Sequence, residues 1–233
     1  MTANRSAQIQ LVIKIVIPLV VWMLFSNIGL ASFFTNHDLL YLLFLALGFS
    51  GILSQIRSKD KQPILFFACD AVVAVLGAKL LMTNGSFVNW LLVLDFCLAN
   101  LLILTKLINE PHCQWIIYGI ISGSGIVFLF NVTYHHYFSL MALMSITVLI
   151  FANIFFSFPV FMKNSSHLSL FVIMLLILGL CVTLSLSILK VLMIAAILGF
   201  YLFFEWRVND RNYDKRNNTS LVCLLLFSLV TCL

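Results

Sequence analysis

Long apolar runs separated by short polar breaks dominate the pattern of hydrophobic and polar positions along this chain. A helix needs about 20 apolar residues to cross a hydrocarbon core of about 30 Å, and most of these runs reach that length. The pattern therefore predicts a series of transmembrane helices. The predicted helices are 9–34, 39–56, 63–83, 87–107, 114–131, 137–162, 167–188, 190–206 and 219–233.

Three parts of this pattern leave a boundary, a crossing or a cleavage open. The stretch 167–206 is too long for one crossing, so we expect a turn near Ser187 to Lys190, although neither Gly nor Pro marks it. Segment 219–233 would form only about 22 Å of helix, which is shorter than the hydrocarbon core, so its crossing stays open. Segment 9–34 has a basic start and a small-residue stretch, 29–31, that resembles a cleavage site. It therefore fits both an uncleaved first helix and a cleaved signal peptide.

Composition supports the same class of protein. The chain is 63% hydrophobic and 9% charged, whereas soluble domains are about 45–50% apolar and about 25% charged. These values exclude a soluble globular domain, a disordered chain, a coiled coil and a secreted disulfide scaffold. We expect an all-α fold, a polytopic transmembrane helical bundle of eight to nine helices, as a single integral membrane domain over 1–233.

The net charge of +5 adds an orientation. Its basic residues lie in short loops and form no continuous basic face, which argues against nucleic acid as a partner. If the N-terminus is cytoplasmic, only Lys79 and Lys190 fall on the opposite side of the membrane, and every other Lys and Arg is cytoplasmic. This asymmetry is the positive-inside pattern, so we predict a cytoplasmic N-terminus.

Ionisable and amide side chains inside the apolar runs are the candidate functional residues, because such groups are costly in a membrane. By depth along the adjacent helices 63–83 and 87–107, Lys79 and Asp95 are close enough to form an ion pair, and Asp70 matches Asn100. These two polar pairs either fix how the helices associate or line a route for a solute.

Three further residues mark helix contacts. Asn153 in the segment 137–162 is predicted to hydrogen-bond a neighbouring helix. Gly119 and Gly123 form a GxxxG pattern, which is typical of closely packed helices.

Motifs for catalysis are missing from the sequence, which has no HExxH, Walker or dinucleotide-binding pattern. We therefore expect no catalytic residues, no metal, no cofactor and, on balance, no enzyme. The expected function is that of a multi-pass membrane protein acting through helix contacts as a transport, immunity or assembly component. The expected partners are the lipid bilayer and a second membrane-protein subunit, in a cell membrane or a bacterial inner membrane. The alternatives are a small-solute or lipid transporter using Asp70, Asp95 and Lys79, and a membrane-embedded lipid-modifying enzyme.

Overall fold

The computed structural model describes residues 2–59, 61–83, 87–105, 108–137, 139–162, 168–207 and 213–233. Within these ranges the chain forms helices and no strands, which confirms the predicted all-α class. The helices are α1 (Thr2–Phe25), α2 (Leu30–Thr35), α3 (His37–Ile56), α4 (Pro63–Thr83), α5 (Phe87–Leu104), α6 (Pro111–Ile121), α7 (Gly125–His135), α8 (Leu140–Phe161), α9 (Leu168–Thr183), α10 (Ile188–Arg207) and α11 (Tyr213–Cys232). The predicted breaks at 84–86 and 163–166 lie outside the described residues.

Five stretches of the described chain are long and apolar enough to cross a membrane, which indicates a membrane protein. They are His37–Ile56, Pro63–Thr83, Pro111–His135, Leu140–Phe161 and Ile188–Arg207. In α4 only 11% of the apolar segment is buried inside the protein, and its large side chains Ile64, Val75 and Met82 are exposed. A helix that is apolar on its exposed face is suited to lipid rather than to water.

Two predicted helices are interrupted, so their prediction as continuous segments is wrong. Segment 9–34 divides into α1 and α2 at Asn27, whose φ of 52° ends the first helix. Asn adopts this left-handed conformation more readily than most residues, and with Ser26 and Gly29 beside it the sequence carries a turn signal that apolar length alone does not detect. Segment 114–131 divides between Ile121 and Gly125, where a Ser-Gly-Ser stretch separates α6 from α7.

Other boundaries differ by a few residues. The expected turn within 167–206 is present, but it precedes Ser187 and is made by Ser185 with a φ of 55°. Helix α6 begins at Pro111, three residues before the predicted start at 114. The Glu110 carboxylate caps it by accepting a 2.7 Å hydrogen bond from the Cys113 N–H. That bond lowers the pKa of Glu110. Helix α11 begins at Tyr213, six residues before the predicted start.

The described chain divides into two compact units, which we consider separately. The first comprises Met1–Ile108 and Gly125–Phe138. Helix α3 is at its centre, in contact with α1, α2, α4, α5 and α7, and its side chains Leu45, Phe49 and Ile52 are fully buried. Polar contacts support this packing, since the Ser50 hydroxyl donates a 2.6 Å hydrogen bond to the Ile15 carbonyl of α1.

The second unit comprises Asn109–Ser124 and Ser139–Leu233. Helix α8 is at its centre and packs against α6, α9 and α11, while α10 packs against α9 and α11. The core is aromatic: the Tyr201 ring lies 5.3 Å from Phe155 and 5.0 Å from Phe156, centroid to centroid, and Phe227 lies 6.1 Å from Phe156. The single domain expected over 1–233 stays a prediction.

Candidate functional site

Asp70 and Asn100 are brought together in the first unit. The Asn100 side-chain N–H donates a 2.8 Å hydrogen bond to Oδ1 of Asp70, which joins α5 to α4. The same amide donates to the Phe96 carbonyl of its own helix at 3.2 Å. Among the described residues, Oδ1 of Asn100 is buried without a hydrogen-bond partner. The pair therefore fixes the relative rotation of α4 and α5 and leaves one acceptor unused.

Asp95 closes the start of α7. Its side chain is buried, and Oδ2 accepts a 2.8 Å hydrogen bond from the backbone N–H of Gly125, the first residue of that helix. The first N–H groups of a helix lack helical partners and carry its positive end, so a carboxylate is well placed there. A Cβ at position 125 would overlap Oδ2 of Asp95, so a larger residue there would require the carboxylate to shift.

Lys79 and Asp95, expected to form an ion pair, have different partners in the structure. The Lys79 ammonium lies 5.2 Å from the centre of the Tyr41 ring, a cation–π contact with α3. Asp95 accepts a hydrogen bond from the Gly125 N–H of α7. The expected pair rested on the depths of residues in α4 and α5 alone. The amino terminus of a third helix, α7, binds the Asp95 carboxylate instead of leaving it to Lys79.

Asn153, Gly119 and Gly123 meet in the second unit, where α6 packs on α8. The Asn153 amide donates to the Ser122 carbonyl at 3.2 Å, just beyond the end of α6. Gly119 faces the backbone of Ile154, and Gly123 faces the backbone of Ile150. A Cβ added at either glycine would lie 3.0–3.1 Å from the backbone N and Cα of the facing residue. The two glycines thus lie where the helices approach most closely, and Asn153 bonds one of the carbonyls freed by the end of α6.

Trp115 provides a further polar link between the same helices. Its indole N–H donates a 2.6 Å hydrogen bond to the Ile154 carbonyl, and its ring packs against Phe158 at 5.5 Å. The α6–α8 contact is therefore held by two side-chain hydrogen bonds as well as by the small glycine surfaces.

Among known proteins, no family model, curated protein or solved structure matches this chain.

Glu205 and Arg216 form a buried ion pair that the sequence analysis missed. Arg216 of α11 donates to Oε2 of Glu205 of α10 through Nε at 2.9 Å and through Nη2 at 2.5 Å. Both side chains are at most 5% exposed. The lone acid at the end of an apolar run, 11 residues before an arginine, is the sequence signal that could have revealed the pair.

Metal binding finds no support in the described ranges. They contain no group of three or more His, Cys, Asp or Glu side chains placed to hold a metal ion. The expectation of no metal and no cofactor stays a prediction. Asp70, Asp95 and Asn153 make hydrogen bonds that join helices, whereas Lys79 faces a ring and a cavity.

Proposed function

We propose that this protein is a multi-pass integral membrane protein that acts through helix contacts, as a transport, immunity or assembly component and not as an enzyme. Its N-terminus is cytoplasmic and eight or nine of its segments cross the bilayer. The distribution of basic residues supports that orientation. The five long apolar stretches support membrane insertion.

The observation that carries this proposal is the use of the costly polar side chains. Asp70 bonds Asn100 between α4 and α5, Asp95 bonds the start of α7, and Asn153 bonds the residue that follows α6. A polar side chain that hydrogen-bonds a neighbouring helix stabilises the arrangement of the helices. Such use favours a structural partner within a complex over catalysis.

A stoichiometric partner protein is the first expected result. The full chain would be tagged, extracted in mild detergent from its own host membrane and weighed intact by native mass spectrometry. We expect an assembly heavier than the 26.4 kDa chain by a second polypeptide in fixed ratio. Masses that are only multiples of this chain would contradict the proposal, whether or not lipid is retained.

A transporter is the second candidate, and the break between α6 and α7 favours it. The apolar stretch Pro111–His135 is interrupted at 122–124, and α7 begins against a buried carboxylate. Interrupted helices with free backbone groups form the ion and substrate sites of many transporters. Here Asp95 would be the residue that exchanges a proton or cation.

Replacing Asp95 with asparagine separates this candidate from the first. Asn retains an oxygen that accepts from the Gly125 N–H, so the fold is expected to persist while the charge is lost. In proteoliposomes containing a pH-sensitive dye, a transporter would collapse an imposed proton gradient, and D95N and D70N would not. The matched control is D214N, in the polar first turn of α11. Wild-type flux in both D95N and D70N would exclude the transporter.

A further inference from the structure

A cavity of about 340 Å³ opens in the first unit beside the start of α3 and the end of α4. Its volume lies in the range of small-molecule sites, about 300–1,000 Å³. The charged and polar side chains of its wall are His37, Asp38, Tyr41, Lys79, Thr83 and Thr133. A cavity with both signs of charge inside a predominantly apolar chain needs a chemical reason.

Lys79 is positioned at this cavity by α3. Its ammonium lies over the Tyr41 ring, and the Tyr41 hydroxyl in turn donates a hydrogen bond to the Leu76 carbonyl of α4. Within the described part of the chain, no carboxylate lies at ion-pair distance from Lys79. The ring restricts the side chain without neutralising it, so its positive charge is available to an anion.

Asp38 supplies the opposite charge. It lies in the first turn of α3, whose amino terminus is capped by the Asn36 side chain, accepting from the Asp38 N–H at 2.9 Å. The Asp38 carboxylate is therefore not needed for the cap and lines the cavity. A ligand that pairs with both side chains carries an anionic group and a cationic group in one molecule that fits a cavity of about 340 Å³.

The position of Lys79 along α4 indicates which class of anionic ligand the cavity would bind. Lys79 lies four residues before the end of α4 at Thr83, about 6 Å along the axis. Leu42 and Leu80 also line the cavity. A site with charged groups near the helix ends and apolar wall residues beside them matches an amphiphile at the level of phospholipid headgroups.

We propose that this cavity binds a phosphoethanolamine group, with Lys79 holding the phosphate and Asp38 the amine. The group is either the headgroup of a phosphatidylethanolamine lipid or a soluble glycerophosphoethanolamine. The inference goes beyond the proposed role in a membrane complex and depends only on the first unit being folded.

Lipid binding to the purified full chain in detergent tests the proposal. Native mass spectrometry would count bound molecules during titration with phosphatidylethanolamine and with phosphatidylglycerol, which lacks the amine. We expect one tight phosphatidylethanolamine per chain. Because a hydrogen bond to a charged group is lost, K79Q is expected to weaken it by about tenfold or more, and K79R to restore most of the affinity. The matched control is K190Q, at the start of α10 in the other unit.

Asp38 is tested by the selectivity between the two lipids. D38N is expected to remove the preference for phosphatidylethanolamine, and D214N to leave it unchanged. Equal binding by K79Q and K190Q would overturn the proposal, as would an unchanged lipid preference in D38N. Competition by glycerophosphoethanolamine at equal affinity would support the site and assign it to the soluble ester, whereas lack of competition would support it with the lipid as ligand. Melting temperatures of all variants establish that each is folded.

Discussion

Replacing Glu205 with alanine is expected to lower the free energy of unfolding of the second unit by about 3–5 kcal/mol. The change leaves the Arg216 guanidinium buried between α10 and α11 without the carboxylate that it contacts through two nitrogens. The loss of a carboxylate partner by a buried charge is among the most destabilising results of a single substitution. The measurement is the midpoint of unfolding of the full chain in mixed detergent micelles.

A double variant distinguishes the charge from the pair itself. Within the described residues, Oε1 of Glu205 is buried without a hydrogen-bond partner, so the pair is incompletely satisfied. Replacing both Glu205 and Arg216 with methionine is therefore expected to be nearly neutral or stabilising. The exposed neighbour Lys215 provides the control K215M, which should change little. Equal destabilisation by E205A and the double variant would contradict an electrostatic cause.

Replacing Gly119 with alanine is expected to destabilise the contact between α6 and α8 by about 1–3 kcal/mol. The added Cβ would overlap Cγ1 of Ile154 and would lie 3.0 Å from the backbone N and Cα of that residue. The side chain of Ile154 can rotate, but its backbone can give way only if the two helices separate. Separation would also lengthen the hydrogen bond from Trp115 to the Ile154 carbonyl.

The matched control is Gly179 in α9 of the same unit. An alanine Cβ there meets nothing within 4 Å, so G179A is expected to leave stability unchanged or raise it slightly through helix propensity. The readouts are the unfolding midpoint and the fluorescence of Trp115 in single-tryptophan variants. If G119A were as stable as G179A, the close approach of α6 and α8 would be refuted.

Apolar length predicted the helices well where polar breaks are strong. The bounds of α4 agree with the predicted 63–83, because Pro63 can begin a helix and the run that follows is uniformly apolar. Equal depth along adjacent helices was enough to match Asp70 with Asn100. Both predictions use only rise per residue and hydrophobicity, which are local properties.

Contacts that depend on where a later helix starts could not be predicted from hydropathy. Asp95 bonds Gly125 because α7 starts there, and the interruption that creates this start has no proline to mark it. Glu205 and Arg216 meet because α11 begins before the apolar run that defined its prediction. In both cases a polar residue binds a partner on a helix, α7 or α11, whose start hydropathy does not locate.

The alternation of the chain between its two units sets an order on its synthesis. Asp95 is made 30 residues before Gly125, the backbone group that it caps. At about 5–20 residues per second, the carboxylate is present for about 1.5–6 s before that group exists. The intervening residues complete α5 and then build α6, which belongs to the other unit. The first unit therefore cannot be completed on the ribosome until part of the second has been synthesised. In a nascent chain halted after α5, the Asp95 carboxylate lacks the α7 N–H that it binds in the folded protein.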